Sequence, residues 1–285
     1  MTFSVTNPAT GEQLASVSFT KSEDVFSAVE RAHQTFQSSA QTPSFVRSQR
    51  LNALANLILE NADSLANLIC SEAGKPITLA KLEVQRAYQT FLFAAQAAQH
   101  QQGALLDLDA SAPGANHFGI QRRFPIGPIA AITPFNFPLN LVAHKLAPAL
   151  AVGNTVLLKP SPKAPLTALR LADLVQQAGF PEHTLQILLC KNEDVIPWIQ
   201  HPLIRMLSFT GSQHVGYQLH AAAFGKRCTL ELGGNASVIL HEDADLEAAI
   251  PLICNGAFAY SGQVCVSIQN LFVHHSILDK TRSLL

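Results

Sequence analysis

Charge is scarce in this 285-residue chain: Asp, Glu, Lys and Arg together make up only 14% of it, and the formal net charge is −1. So little charge, combined with 48% hydrophobic residues, excludes a predominantly disordered chain. A balance this close to neutral gives no general attraction to nucleic acid or to an anionic membrane. Cysteines are few and odd in number: Cys70, Cys190, Cys228, Cys254 and Cys265. They contain no C-x-x-C pair and no His/Cys cluster with zinc-ligand spacing, which argues against a disulfide framework and a metal centre. Reduced thiols in a cytoplasmic setting fit better. The N-terminus has no basic stretch followed by an apolar core, so a secretory signal is not indicated. Long unbroken hydrophobic runs are also missing. The most apolar region, 124–158, is interrupted by Pro125, Pro128, Pro134, Pro138 and Pro148, which excludes an ordinary membrane span.

Hydrophobic periodicity then organises the chain. Residues 1–20 read as extended around a turn at Asn7-Pro8-Ala9-Thr10-Gly11. Helices dominate from Ser22, which is expected to cap the first of them ahead of Val25, Phe26, Val29, Ala32 and Phe36. The helical pattern repeats from Arg47 to Leu68 and, after Gly74-Lys75-Pro76, from Ile77 to Gln99. Alternation at Leu106–Asp109 and Phe118–Arg122, on either side of a turn, reads as a β-hairpin over 104–124. Beyond Ile126, short apolar runs (129–132, 155–158, 184–189 and 206–209) alternate with helical stretches (139–150, 165–178, 194–200 and 213–224). That alternation predicts an α/β fold with a doubly wound parallel sheet. A further strand ends near Glu231, and residues from 232 onward are expected to open a second α/β domain.

Two short runs suggest chemistry. Ser261-Gly262-Gln263-Val264-Cys265 places a thiol among small residues, and Glu231-Leu232-Gly233-Gly234 places a carboxylate upstream. A thiolate can attack a carbonyl, and a carboxylate can later activate the water that releases the product. A cysteine in such a stretch is also compatible with a buried structural role. Gly211-Ser212-Gln213-His214-Val215-Gly216 has the spacing of a phosphate-binding glycine loop but lacks the following Lys-Ser/Thr of a P-loop, so an ordinary turn stays open. Lys159, at the end of a predicted strand, could equally be a surface lysine, and Asn136 could simply cap the helix that starts near Leu139.

Taken in order, Asn7-Pro8-Ala9-Thr10-Gly11-Glu12, Thr133-Pro134-Phe135-Asn136-Phe137-Pro138, Leu158-Lys159-Pro160-Ser161, Phe209-Thr210-Gly211-Ser212, Glu231-Leu232-Gly233-Gly234 and Gly262-Gln263-Val264-Cys265 resemble the aldehyde dehydrogenase superfamily from end to end. The resemblance implies a Rossmann-like cofactor-binding domain at 1–103 and 125–231, an oligomerisation hairpin at 104–124, and the start of a catalytic domain at 232–285. It implies Cys265 as nucleophile, Glu231 as the base that activates water, and Asn136 as an oxyanion donor. It implies contacts to NAD or NADP from Thr133, Pro134, Phe135, Lys159, Ser161, Gly211, Ser212, Val215 and Leu232, with Lys159 on the adenosine ribose. The reaction implied is oxidation of a small aldehyde to its acid through a thiohemiacetal and a thioester, in a protein that forms homo-oligomers when complete. Glu231 disfavours release of the thioester to coenzyme A. The runs around Cys265 and Lys159 look most like members acting on short functionalised aldehydes.

One departure bears on the cofactor. Members preferring NAD often carry Glu three residues after the lysine, and here Pro162 and Lys163 follow instead. The absence of that carboxylate removes a barrier to a 2′-phosphate and predicts that NADP is accepted. The sequence also ends 20 residues after Cys265, inside a predicted helix starting near Ser276. The expectation is therefore a chain lacking much of the family's C-terminal half, with apolar surface exposed around 250–273. The alternative is a catalytically incompetent remnant that binds nucleotide or a full-length partner.

Overall fold

The computed structural model describes residues 2–100 and 103–285. These divide into two units, one of residues up to 209 plus 219–229, the other of residues 210–218 plus 230–285.

In the first unit, β1 (Thr2–Thr6) and β2 (Gln13–Ser18) pair antiparallel across the Asn-Pro-Ala-Thr-Gly turn. Four helices follow: α1 (Ser22–Ser39), α2 (Ser44–Glu60), α3 (Ala62–Ala73) and α4 (Ile77–Gln99). Ser22 does not cap α1. Lys21 holds that position, and the Ser22 hydroxyl instead donates to Asp194, at 2.6 Å. The periodic stretch from Arg47 to Leu68 is two helices, parted at Asn61, whose side-chain amide donates to the Leu57 carbonyl. The pattern runs on across the break because both helices bury leucines in the same core. Strands β3 (Ala104–Asp107) and β4 (Phe118–Gln121) form the expected antiparallel hairpin, with Leu105, Phe118 and Ile120 each 69% exposed.

Beyond the hairpin the chain alternates as the sequence predicts: β5 (Ile129–Ile132), α5 (Asn140–Val152), β6 (Val156–Lys159), α6 (Leu166–Gln177), β7 (Leu185–Ile187), α7 (Val195–Gln200), β8 (Met206–Gly211), α8 (Gln213–Ala222) and β9 (Arg227–Leu232). Pairing is parallel, in the order β7-β6-β5-β8-β9. That order runs outward in both directions from β5, the doubly wound pattern. Every residue of β5 and β6 is buried, as expected where helices cover both faces of a parallel sheet. Strand β7 is shorter than the 184–189 run. Past Ile187 the chain turns to Thr20, whose hydroxyl accepts from the Leu189 N–H. The core gathers Leu51, Leu54, Ile58, Phe91, Leu146 and Leu158 between α2, α4, α5 and the sheet.

Two of these helices begin without a cap of their own. Leu139 precedes α5 and Pro165 precedes α6, and neither supplies a side-chain acceptor. Carboxylates distant in sequence do so instead. Glu72 of α3 accepts from the Leu166 and Thr167 N–H groups at 2.7 and 2.8 Å, and also from the Thr167 hydroxyl. Glu83 of α4 accepts from the Leu139 and Asn140 N–H groups at 2.9 and 3.0 Å. An anion at a helix N-terminus is stabilised by the free N–H groups and the helix dipole. Burial nevertheless pushes the Glu72 carboxyl above its usual range, against the lowering effect of its bonds to Thr167 and Leu166.

In the second unit, β10 (Ala236–Leu240), α9 (Leu246–Phe258) and β11 (Ile268–Val273) make a parallel strand–helix–strand crossover. Leu240, Leu246, Ile250 and Ile253 form its core. The Asp245 side chain caps α9 through the Ala248 N–H. The last helix, α10 (Leu278–Leu284), follows a 3-10 turn at His275–Ile277. Leu252, Phe258, Val266 and Phe272 are exposed, the apolar surface expected around 250–273. Among the described residues no helix is long and apolar enough to cross a membrane.

Candidate active site

The carboxyl ends of β5 and β6 collect the candidate residues of the first unit. Thr133, Pro134, Phe135 and Asn136 form the loop after β5; Lys159 closes β6, and Ser161 follows it. Thr133 is buried, and its hydroxyl oxygen has no hydrogen-bond partner among the described residues. Lys159 is buried too, and its ammonium donates to the Asn192 side-chain carbonyl at 3.1 Å. Desolvation lowers its pKa despite the nearby Cys190. The Lys163 ammonium stands 5.0 Å from the centroid of the Phe135 ring, so the loops after β5 and β6 meet through a cation–π contact. Lys163 is itself exposed, and its N–H is turned toward the Ser161 hydroxyl at 3.3 Å. Asn136 does not cap α5, since the first N–H groups of that helix go to Glu83.

This arrangement suits an anionic dinucleotide: an ammonium at a strand end, a second one in the adjoining loop, and a buried hydroxyl without a partner. Among the described residues no group of three His, Cys, Asp or Glu side chains is placed to hold a metal ion.

Cys190 lies behind this edge. Burial pushes its thiol from an ordinary value of 9.0 up to about 11, a rise that Lys159 partly offsets. The folded protein therefore holds this proton where the unfolded chain would release it. The associated stability is fully present below pH 9 and is lost as pH rises toward 11, roughly 2–3 kcal/mol in all. Replacing Cys190 with Ala should remove that slope. Urea unfolding of both proteins between pH 8 and pH 10.5 checks this, and the native protein alone should show the extra alkaline loss.

In the second unit, Gly211 ends β8, Ser212 precedes α8 and Val215 lies in its first turn, with the Val215 N–H directed at the Ser212 hydroxyl at 3.4 Å. Glu231 and Leu232 end β9, and Glu231 is exposed. Cys265 sits in the turn before β11 and is the exposed cysteine; the other four are buried or partly so. The backbone reaches it through three consecutive left-handed residues, Tyr260 (φ 53°), Ser261 (φ 55°) and Gly262 (φ 72°). Two of these are not glycine, so the turn holds strain that its surroundings must enforce. The Ser267 hydroxyl donates to the Ala257 carbonyl at 2.9 Å, tying the far side of the turn to α9. Gly234, three residues past Glu231, packs so closely that an added Cβ would lie 3.1 Å from the Cys265 carbonyl oxygen. The loop after Glu231 and the loop of Cys265 are thus in contact.

Sequence patterns did not single out Lys75, Glu83 or Asn192. A signal existed for Glu83: it falls on the buried stripe of α4 with Ala80, Val84, Ala87 and Phe91, where a carboxylate requires partners.

A model of the aldehyde dehydrogenase family matches residues 1–285. The chain is 37% identical over 284 residues to a sulfoacetaldehyde dehydrogenase of Neptuniibacter caesariensis, covering 100% of this chain and 62% of that protein. It is 38% identical to a 3-sulfolactaldehyde dehydrogenase of Priestia aryabhattai, covering 96% and 57%. Among solved structures, the NADP complex of an NADP-dependent glyceraldehyde-3-phosphate dehydrogenase from Bacillus halodurans C-125 superposes with a TM-score of 0.97 at 33% identity, covering 100% of this chain and 60% of the other. The chain thus spans about three fifths of the length of these relatives.

Proposed function

The chain belongs to the aldehyde dehydrogenase family, and on that premise we propose that this protein oxidises a short aldehyde to its carboxylic acid with NAD or NADP. The observation that carries the proposal is Cys265: an exposed thiol on a strained turn, against the loop that follows Glu231. Its thiolate adds to the aldehyde carbon and forms a thiohemiacetal. Asn136 is assigned the donor to the oxygen that becomes negative, a role worth roughly 3–4 kcal/mol in the barrier. A nicotinamide nucleotide supplies, when bound, the acceptor for the hydride. Loss of hydride leaves a thioester on Cys265. Glu231 takes a proton from water, the resulting hydroxide adds to the thioester carbonyl, and the acid departs as the thiolate is regenerated.

Residues 1–103 and 125–231 are assigned to cofactor binding, 232–285 to the catalytic domain, and the hairpin at 104–124, with its exposed Leu105, Phe118 and Ile120, to assembly of a homo-oligomer. Thr133, Pro134, Phe135, Lys159 and Ser161, with Gly211, Ser212, Val215 and Leu232, are assigned contacts to the nucleotide. The substrate class proposed is a short aldehyde carrying an anionic group. The names of two relatives, acting on sulfoacetaldehyde and 3-sulfolactaldehyde, support it.

NADP is the cofactor favoured here, because Pro162 and Lys163 stand where a carboxylate would repel a 2′-phosphate. Introducing Pro162→Glu should weaken NADP binding about ten- to a hundredfold, as a like charge a few ångströms away would, and change NAD binding little. Titration calorimetry with both nucleotides checks this. Equal or tighter binding of NAD by the unaltered protein would count against the preference.

A further inference from the structure

Lys75 and Glu83 have no role in the proposed chemistry, yet both side chains are fully buried and paired with each other. One oxygen of Glu83 receives the Lys75 ammonium, and the other receives the Leu139 and Asn140 N–H groups. The same ammonium lies 3.6 Å from the centroid of the Phe137 ring. Phe137 is the residue after Asn136, and Leu139 and Asn140 begin the helix into which that loop runs. Every element of this cluster holds the stretch immediately following Asn136, and the cluster draws its charge from a different part of the chain. The pair is not needed for stability as such, since replacing a buried ion pair with well-packed hydrophobic residues is often neutral or stabilising. What apolar groups cannot do is accept from two backbone N–H groups and face an aromatic ring with a cation.

We infer that Lys75 and Glu83 are positioning residues that fix the backbone on which Asn136 is carried, an inference whose catalytic meaning rests on the oxyanion role proposed for Asn136.

The test uses the whole chain carrying Lys75→Met together with Glu83→Leu, so that no charge is left buried alone. Amide hydrogen exchange, read by mass spectrometry, should accelerate about tenfold or more in the segment 133–141, as loss of charge-assisted bonds to its N–H groups requires, while β5 and β6 keep their native rates. Native rates in that segment would overturn the inference, and so would equal acceleration throughout the first unit. Should the double variant fail to fold, Glu83→Gln is measured in its place. It keeps an acceptor but loses the charge that holds Lys75, and a smaller acceleration confined to the same segment is expected, with native rates again overturning the inference. Turnover separates the two readings. In the double variant kcat should fall, and adding Asn136→Ala should lower kcat no further; independent, multiplying losses would contradict positioning. Native turnover in Asn136→Ala alone would sink the oxyanion reading and leave the exchange result standing by itself.

Discussion

Cys265→Ala is expected to abolish aldehyde oxidation, lowering kcat by roughly 10⁴-fold or more, while NADP binds as tightly as to the native protein. The size of the effect follows from the chemistry: without the thiolate no covalent adduct forms, and hydride must leave an unactivated carbonyl group. No other thiol is placed to substitute. Burial raises the pKa of Cys190 and Cys228, and Cys70 and Cys254 are partly buried in helices α3 and α9. Calorimetry for the nucleotide and absorbance of reduced nicotinamide for turnover, in the same two proteins, separate binding from chemistry. Turnover retained within tenfold of native would remove Cys265 from the mechanism.

Lys75→Met alone is expected to carry the largest stability cost, about 3–5 kcal/mol, because it strands the Glu83 carboxylate in the core without its cation. That is a large part of the 5–15 kcal/mol typical of a folded domain. Desolvation already lowers the pKa of Lys75, and Glu83 is what works against that shift. Combining Lys75→Met with Glu83→Leu should recover only part of the loss: no isolated charge remains, but the Leu139 and Asn140 N–H groups lose their acceptor. Urea unfolding of the single and double variants measures this directly. A single variant within 1 kcal/mol of native would mean that the Leu139 and Asn140 N–H groups hold the Glu83 carboxylate without Lys75.

Much of the architecture follows from local patterns. Alternating apolar runs and helical stretches from 126 to 232 predicted the parallel sheet, since completely buried strands need continuous apolar sequence and their crossovers need helices. Boundaries defined by local chemistry were also predictable, such as the end of α6 near Gly179 and the hairpin turn between Asp107 and Phe118. What local pattern could not supply was every contact set by distant partners. The Ser22 hydroxyl bonds to Asp194 and leaves its helix uncapped because of a residue 172 positions away. Helices α5 and α6 start directly after Leu139 and Pro165, poor caps on their own, because Glu83 and Glu72 reach them from α4 and α3. Asn61 parts α2 from α3 within one unbroken leucine pattern.

The candidate site divides in the same way. Cys265 and Glu231 suggested chemistry from their own short runs, whereas the roles given to Asn136 and Lys159 rest on the family resemblance, each having an ordinary reading in isolation. The partner of Lys159, Asn192, could not be proposed from short motifs, since it comes from the loop after another strand. Neither could the left-handed backbone at Tyr260 and Ser261, residue types that give no warning of positive φ.

The most direct test of the mechanism is to mix the purified chain with sulfoacetaldehyde and NADP, quench within one turnover, and map the covalent adduct by peptide mass spectrometry. The account predicts reduced nicotinamide formed together with an acyl group on Cys265, an adduct that persists when Glu231 is replaced by Gln. Formation of reduced nicotinamide with Cys265 unmodified in that variant, or an acyl group on any other residue, would contradict it.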